Sequence, residues 1–307
     1  MAQSAVYKSF LVPLDGSRLA EAVLPATASL ASRSQALVTL LHVIELRAPA
    51  TIHGEPHLTN AAEANSYLEK VASGLRASGV MVECHVHDDG EYNVAQCIFE
   101  HAQELKCDLV IMCTHGHSGL RGLLFGSIAQ KTLQRGAQSI LLVFPHEDGS
   151  APPFDLQRIL VPLDGVVAHE PALPVAIELA STFQATVHLV LVIPTLATLS
   201  GGQAASGMLL PTTTRAVLDL AQQEARDYLD QILVQCHSEG VSATAEILRG
   251  DAAPMVLRLA EHLNIDLIVM ASHGRAGLDA LLAGSVAARI AGSMERALLL
   301  MRAEERG

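Results

Sequence analysis

The 307-residue chain contains no tryptophan, and its aromatic content is limited to six phenylalanines and four tyrosines. Half of the residues are hydrophobic, so any packed core has to be aliphatic. Cysteine is scarce. The five residues at 84, 97, 107, 113 and 236 fall in no C-x-x-C spacing, which argues against a disulfide framework or a cysteine-rich zinc module. Basic residues are outnumbered 20 to 32 by acidic ones, for a net charge of −12. Phosphate backbones select Lys and Arg, so this balance disfavours nucleic acid or an anionic membrane as the main partner. A small anion stays open, because backbone N–H groups bind phosphate without any net positive charge. No apolar run approaches the roughly 20 residues that span a bilayer. The N-terminal MAQSAVYKSF lacks the charged-then-apolar layout of a signal peptide, and the expectation is a cytoplasmic protein.

What the chain does contain is a long internal repeat. FLVPLDGS at 10–17 returns as ILVPLDGV at 159–166, and THGHSGLRGLLFGS at 114–127 returns as SHGRAGLDALLAGS at 272–285. Asp15 and Asp164, like Pro25 and Pro174, are offset by 149 residues. The offset becomes 161 at Glu63/Glu224, Tyr67/Tyr228 and Gly79/Gly240, then 158 at Asp108/Asp266 and Gly116/Gly274. Ordered blocks with two shifts indicate duplication of one domain of roughly 150 residues, too long a period for a solenoid. The Pro-, Gly- and acid-rich stretch 145–153 marks the connector, dividing the chain into 1–147 and 148–307.

Each half alternates strand and helix patterns. Strands are predicted at 10–14, 36–44, 80–86, 109–112 and 139–144, with helices at 18–32, 62–76, 95–105 and 127–135. The second half repeats the order, with strands at 159–163, 185–193, 241–248, 267–270 and 296–301 and helices at 168–181, 217–236, 254–263 and 285–292. Pro25 and Pro174 predict a kink or a late start in the first helix of each half. The fold class that follows is α/β: two open, doubly wound, five-stranded parallel sheets of Rossmann-like type, each covered on both faces. A ligand crevice is expected beyond the carboxyl ends of the strands.

The chemistry concentrates where the central strand ends. His115-Gly116 is followed, after nine intervening residues, by Gly126-Ser127, and His273-Gly274 by Gly284-Ser285 at the same spacing. A glycine past a central strand lets backbone turn tightly against a phosphate, and a Gly-Ser that opens a helix offers N–H donors and a favourable dipole. A strand-end glycine followed by a capped helix also occurs where nothing binds; two copies with identical spacing, each paired with Pro-Leu-Asp-Gly, weigh against that. Asp15 and Asp164 are placed to accept a bond from a ribose hydroxyl, or alternatively to cap a helix.

These segments, with LLHVIE at 40–45 and VLVIP at 190–194, resemble the universal stress protein family in its tandem form, along nearly the whole chain. The resemblance implies adenine nucleotide, ATP above all, at one or two sites, with Mg2+ as the ion that accompanies a triphosphate. It implies an adenine side formed by Val43 or Val192, a carboxylate from Asp15 or Asp164, and strand-end positions Pro13, Met112 and Cys113 or Pro162, Met270 and Ala271. The phosphate loop would use Gly116, Gly126 and Ser127, or Gly274, Arg275, Gly284 and Ser285. The last strands of the two halves are expected to meet, making one chain a pseudo-dimer, and a homodimer of such chains is left open.

The chain departs from the family's G-x2-G-x9-G-[ST] pattern at its first glycine, replaced by Cys113 and Ala271. A Cβ there costs roughly 1 kcal/mol or more if φ is positive and little if the backbone is extended. The copies also differ, since Arg275 stands where the first has His117, and Val166 where it has Ser17. Arg275 makes the second copy the better anion site, unless it is a solvated loop charge. The extra residues at 196–214 form either a lid or a surface loop. No metal site is expected: His85 and His87 share a strand face, but no third ligand lies nearby in sequence. With no Gly-Lys-Ser motif, hydrolysis is expected to be slow at most. The competing reading is an interaction module that binds no nucleotide and acts through protein partners.

Overall fold

The computed structural model describes residues 7–46, 48–91, 93–114, 128, 131–132, 138–146, 148–165, 171–199, 209–272, 286–294 and 296–302. Twelve strands are found among them: β1 (Ser9–Pro13), β2 (Leu37–Glu45), β3 (Thr51–Ile52), β4 (Glu55–Pro56), β5 (Met81–Glu91), β6 (Leu109–Cys113), β7 (Ser139–Val143), β8 (Arg158–Leu163), β9 (Thr186–Ile193), β10 (Ala243–Arg249), β11 (Leu267–Ser272) and β12 (Ala297–Arg302). Ten of them form one sheet in the order β10-β9-β8-β11-β12-β7-β6-β1-β2-β5. In this ten-stranded sheet the pairing inside each half is parallel, and the halves join where β12 and β7 run antiparallel. The expected pair of five-stranded doubly wound sheets is therefore present, with the expected meeting of the last strands.

Period-two alternation sorts the side chains onto two faces. Phe10, Val12, Leu109 and Ile111 enter one core, while Leu11, Val110 and Met112 enter the other. Helices Leu24–Ser34, Ala61–Ala77, Ala172–Phe183 and Pro211–Ser238 cover the first face. Helices Val94–Glu104, Ala252–His262 and Val286–Ala291 cover the second. Both cores continue across the seam, where Leu298 faces Leu142, Leu299 faces Leu141 and Leu300 faces Ile140, all nearly inaccessible to solvent. At about 1.5–3 kcal/mol per buried aliphatic side chain, this seam is a core rather than a surface contact. Near it, Arg33 stacks 4.6 Å from the centre of the Phe183 ring and reaches the carbonyl of Thr182, its own counterpart in the repeat.

The duplication extends to backbone detail. Gln35 and Gln184 both end their helices in the left-handed region, at φ 53° and 58°, and Lys106 and Asn264 do the same at 51° and 50°. Pro25 acts as a late start: a short turn, Arg18–Glu21, precedes the helix that begins at Leu24. Two elements depart from expectation. The long helix of the second half begins at Pro211 rather than near 217, so part of the insertion is helical. In the first half, β3 and β4 form a hairpin that periodicity did not reveal, closed by His53 and Gly54 at φ 50° and 84°. Two consecutive positive φ angles are what a two-residue primed turn requires. The expected helix at 127–135 lies largely outside the described residues.

Candidate functional site

Strand order reverses between β1 and β6 and between β8 and β11, which opens a crevice beyond the carboxyl ends in each half. In the first, Pro13 and Asp15 leave β1, Val43 comes from β2, and Met112 and Cys113 end β6. All five expected residues line one cavity, together with Val94, Ile98 and Ile128. Gly16, at φ +92°, makes the turn that releases the chain from β1. Asp15 is not the helix cap. Its Oδ1 accepts from the Ser17 backbone N–H at 2.9 Å and hydroxyl at 2.7 Å, and Ser17 Oγ in turn accepts from Ala20 N. The cap is thus Ser17, oriented by Asp15.

The β3–β4 hairpin and the residues after it sit on this crevice. Arg18 N donates to Glu55 Oε2 at 3.0 Å, and His53 Nε2 lies 3.9 Å from Asp15 Oδ2. Leu58 packs so closely over Gly16 that a Cβ there would meet its Cδ1 at 2.9 Å. His57, buried, sits 3.5 Å from Glu45. Beneath this cover the cavity is only about 90 Å³, room for a few waters. His42 forms part of its wall, with Nδ1 2.8 Å from the Leu14 carbonyl; burial holds its pKa below the usual histidine range.

The second crevice is open. A cavity of about 900 Å³ lies between the ends of β8 and β9 and the N-terminal half of the helix Pro211–Ser238. Asp164, Val192, Leu199, Val217, Glu224 and Tyr228 are among its walls. Of the expected residues, Asp164 and Val192 come together here. Pro162, Met270 and Ala271 are not among its walls, although they lie in the last residues of the neighbouring strands β8 and β11. The contribution of Leu199, Glu224 and Tyr228 was missed. Its signal was the repeated Glu-Ala-x-x-Tyr-Leu block, with the insertion placed directly ahead of it in the second copy.

The two replacements of the first motif glycine prove benign for the backbone. Cys113 and Ala271 are strand residues paired with Val143 and Met301, and neither has a positive φ. Cys113 is no poised redox thiol: burial, and secondarily the charge of Asp15, pushes its pKa up to about 12. Gly116, Gly126, Ser127, Gly274, Arg275, Gly284 and Ser285 lie outside the described residues, as do His117 and Val166.

The third donor that the sequence did not show beside His85 and His87 is present in space. His85 and His87 do have further donors at hand, because the helix Val94–Glu104 packs against β5 and brings Cys97 and His101 to the same spot. Chain spacing concealed this, since the two pairs belong to different elements. Among the described residues, no helix is long and apolar enough to cross a membrane.

Comparison with known proteins agrees with this architecture. The universal stress protein family matches residues 6–143 and again 156–302. A universal stress protein of Mycolicibacterium smegmatis is 25% identical over 322 residues, covering 98% of this chain and 99% of that protein. Universal stress protein A homolog 1 of Coxiella burnetii is 33% identical over 148 residues, covering 46% of this chain and 99% of its own. In three dimensions, a universal stress protein from Archaeoglobus fulgidus superposes with a TM-score of 0.67 at 17% identity, over 99% of this chain and 100% of that one. With the family matched twice and in order, the chain belongs to the universal stress protein family as a tandem of two such domains.

Proposed function

We propose that this protein is a cytoplasmic stress-response or regulatory factor whose second unit, residues 148–307, binds one adenine nucleotide, while the first unit, 1–147, keeps its crevice closed. The observation that carries this reading is the cavity of about 900 Å³ at Asp164 and Val192, against about 90 Å³ at Asp15 and Val43. Small-molecule sites occupy roughly 300–1,000 Å³ and combine apolar walls with a few polar groups. The second crevice fits that description; Leu191, Val192 and Val217 suit the faces of a purine, and Asp164 suits a ribose hydroxyl. By the family resemblance, Gly274, Arg275, Gly284 and Ser285, which lie outside the described residues, are the groups proposed to take the triphosphate. Binding, with at most slow hydrolysis, is the proposed activity.

The test is calorimetric titration of the full chain with ATP, with and without Mg2+. One equivalent per chain is expected, weakened roughly ten- to a hundredfold by Asp164→Ala, the span expected for losing a bond to a charged group. Asp15→Ala should leave the titration unchanged. No heat and no shift in melting temperature would end the nucleotide reading. That result would favour the interaction-module reading, which has its own support in the solvent-exposed Leu209, Leu210, Val217 and Leu220 at the start of the long helix.

A further inference from the structure

We propose that the first domain carries a transition-metal site, selective for a borderline-soft divalent ion such as Zn2+, built from His85, His87, Cys97 and His101. His85 and His87 stand two apart on β5 and so project from the same face of the strand. Cys97 and His101 stand four apart on the helix Val94–Glu104, hence on one side of it. Donor atoms of His87, Cys97 and His101 all lie within 4.8 Å of one another. His85 is outside that group of three, but its Nε2 lies 2.9 Å from His101 Nε2, which makes it the imidazole at hand for a fourth position. Cys97 and His101 are both more than nine-tenths buried.

The hydrogen bonds prepare the ligands. His101 Nδ1 lies 2.9 Å from the Cys97 carbonyl, which can only accept, so the neutral ring carries its proton on Nδ1 and turns the Nε2 lone pair toward His85. A backbone carbonyl holding one ring nitrogen so that the other can ligate is the usual outer support of a metal-bound histidine. Without metal, His85 Nε2–H donates to that lone pair. With metal, His85 shifts its proton to Nδ1, both Nε2 atoms turn to the ion, and Cys97 releases its thiol proton to solvent. Tetrahedral Zn–N bonds of about 2.0–2.1 Å set neighbouring nitrogens roughly 3.3 Å apart, so the two rings need to part by only about 0.4 Å. Three imidazole nitrogens and one thiolate sulfur suit zinc better than the oxygen-seeking Mg2+ or Ca2+. β5 is the edge strand of the sheet, and its two histidines are only half-buried, so an ion has a way in.

The second domain shows that the fold does not require these residues. By sheet register and helix position the counterparts of His85, His87, Cys97 and His101 are Glu246, Leu248, Met255 and Leu259. Leu259 is buried at the place His101 holds, so an aliphatic side chain packs there without difficulty. Three nitrogen and sulfur donors converging in the first copy, with a fourth imidazole against one of them, at positions where the other copy uses leucine, methionine and glutamate, point to a ligand rather than to packing.

The second domain also supplies the variants for the test. Metal-free full-length protein is titrated with Zn2+ against a chromophoric chelator, and separately with Co2+, whose absorption reports tetrahedral geometry and thiolate ligation. One equivalent is expected per chain, with a thiolate-to-cobalt band and a rise in melting temperature on adding Zn2+. His87→Leu/His101→Leu should weaken the affinity roughly a hundredfold or more and abolish the zinc-dependent rise, while its metal-free melting temperature stays near that of the parent. Cys97→Met should remove the thiolate band. Less than one equivalent, affinity unchanged in the double variant, or a cobalt spectrum without sulfur ligation would overturn the proposal. If the double variant loses its fold, Cys97→Met alone decides, through the presence or absence of the band.

Discussion

The two crevices descend from the same fold position and differ by an order of magnitude in volume, about 90 Å³ against about 900 Å³. Their floors are alike: Pro-Leu-Asp-Gly ends the first strand in both, and a positive-φ glycine, Gly16 or Gly165, makes the turn. The difference comes from what precedes the third helix. In the first domain a short hairpin folds back and is clipped to Asp15 and Arg18 through His53 and Glu55. In the second, the helix begins at Pro211, within the insertion, and a large cavity lies at the ends of β8 and β9. Among the described residues, the crevices differ in their cover and not in the Pro-Leu-Asp-Gly residues that the copies share.

The largest expected effect comes from removing the cover. Replacing residues 50–57 with a short Gly/Ser linker should open the first crevice and raise nucleotide stoichiometry from one to two per chain. A chain that stays folded by circular dichroism and still binds one equivalent would show that the first domain lacks more than access. The converse is to fill the second crevice. Ala225 is buried at its wall, and Ala225→Phe should reduce ATP affinity at least tenfold; Ala64→Phe, its counterpart in the first domain, should leave affinity unchanged.

A smaller effect separates the two turns. Gly16→Ala and Gly165→Ala each meet a positive φ, costing about 1 kcal/mol. At Gly16 the new methyl also strikes Leu58 at 2.9 Å, whereas at Gly165 its nearest neighbour is Leu191 at 3.6 Å. Gly16→Ala should therefore lower stability in urea by about 1 kcal/mol more than Gly165→Ala. Equal losses would mean that the loop carrying Leu58 gives way.

The smallest effect is the share of the pH dependence that His42 contributes in the first domain. His42 corresponds to Leu191, and burial lowers its pKa in the folded state. The unfolded chain therefore takes up the proton more readily. The stability that depends on neutral His42 is complete above about pH 6.5, the ordinary histidine value, and declines as the pH falls through it toward the folded pKa. His42→Leu, the residue of the second copy, should flatten the fall in melting temperature between pH 7 and pH 5. An unchanged slope would assign that fall to other groups.

Much of this was legible beforehand. The grouping of Pro13, Asp15, Val43, Met112 and Cys113 is what the family resemblance implied, while strand and helix order and the duplication follow from local periodicity and from motifs whose partners recur at fixed offsets. The hairpin did not, because two-residue strands carry no periodicity and only the His53-Gly54 pair hints at the turn. The grouping of His85 and His87 with Cys97 and His101 was equally hidden, since it depends on which face of a helix meets which face of an edge strand.

Sequence alone determined the two-domain α/β plan, the strand-end position of each candidate carboxylate and the inequality of the copies. Those properties are local: hydrophobic period, turn chemistry and repeated spacing act within a few residues. Tertiary structure alone decided the size of each crevice, that Cys113 and Ala271 are harmless strand residues, and that His87, Cys97 and His101 meet at the sheet edge. Cavities and ligand clusters are made by segments distant in the chain, and their dimensions depend on packing between elements that no local pattern encodes.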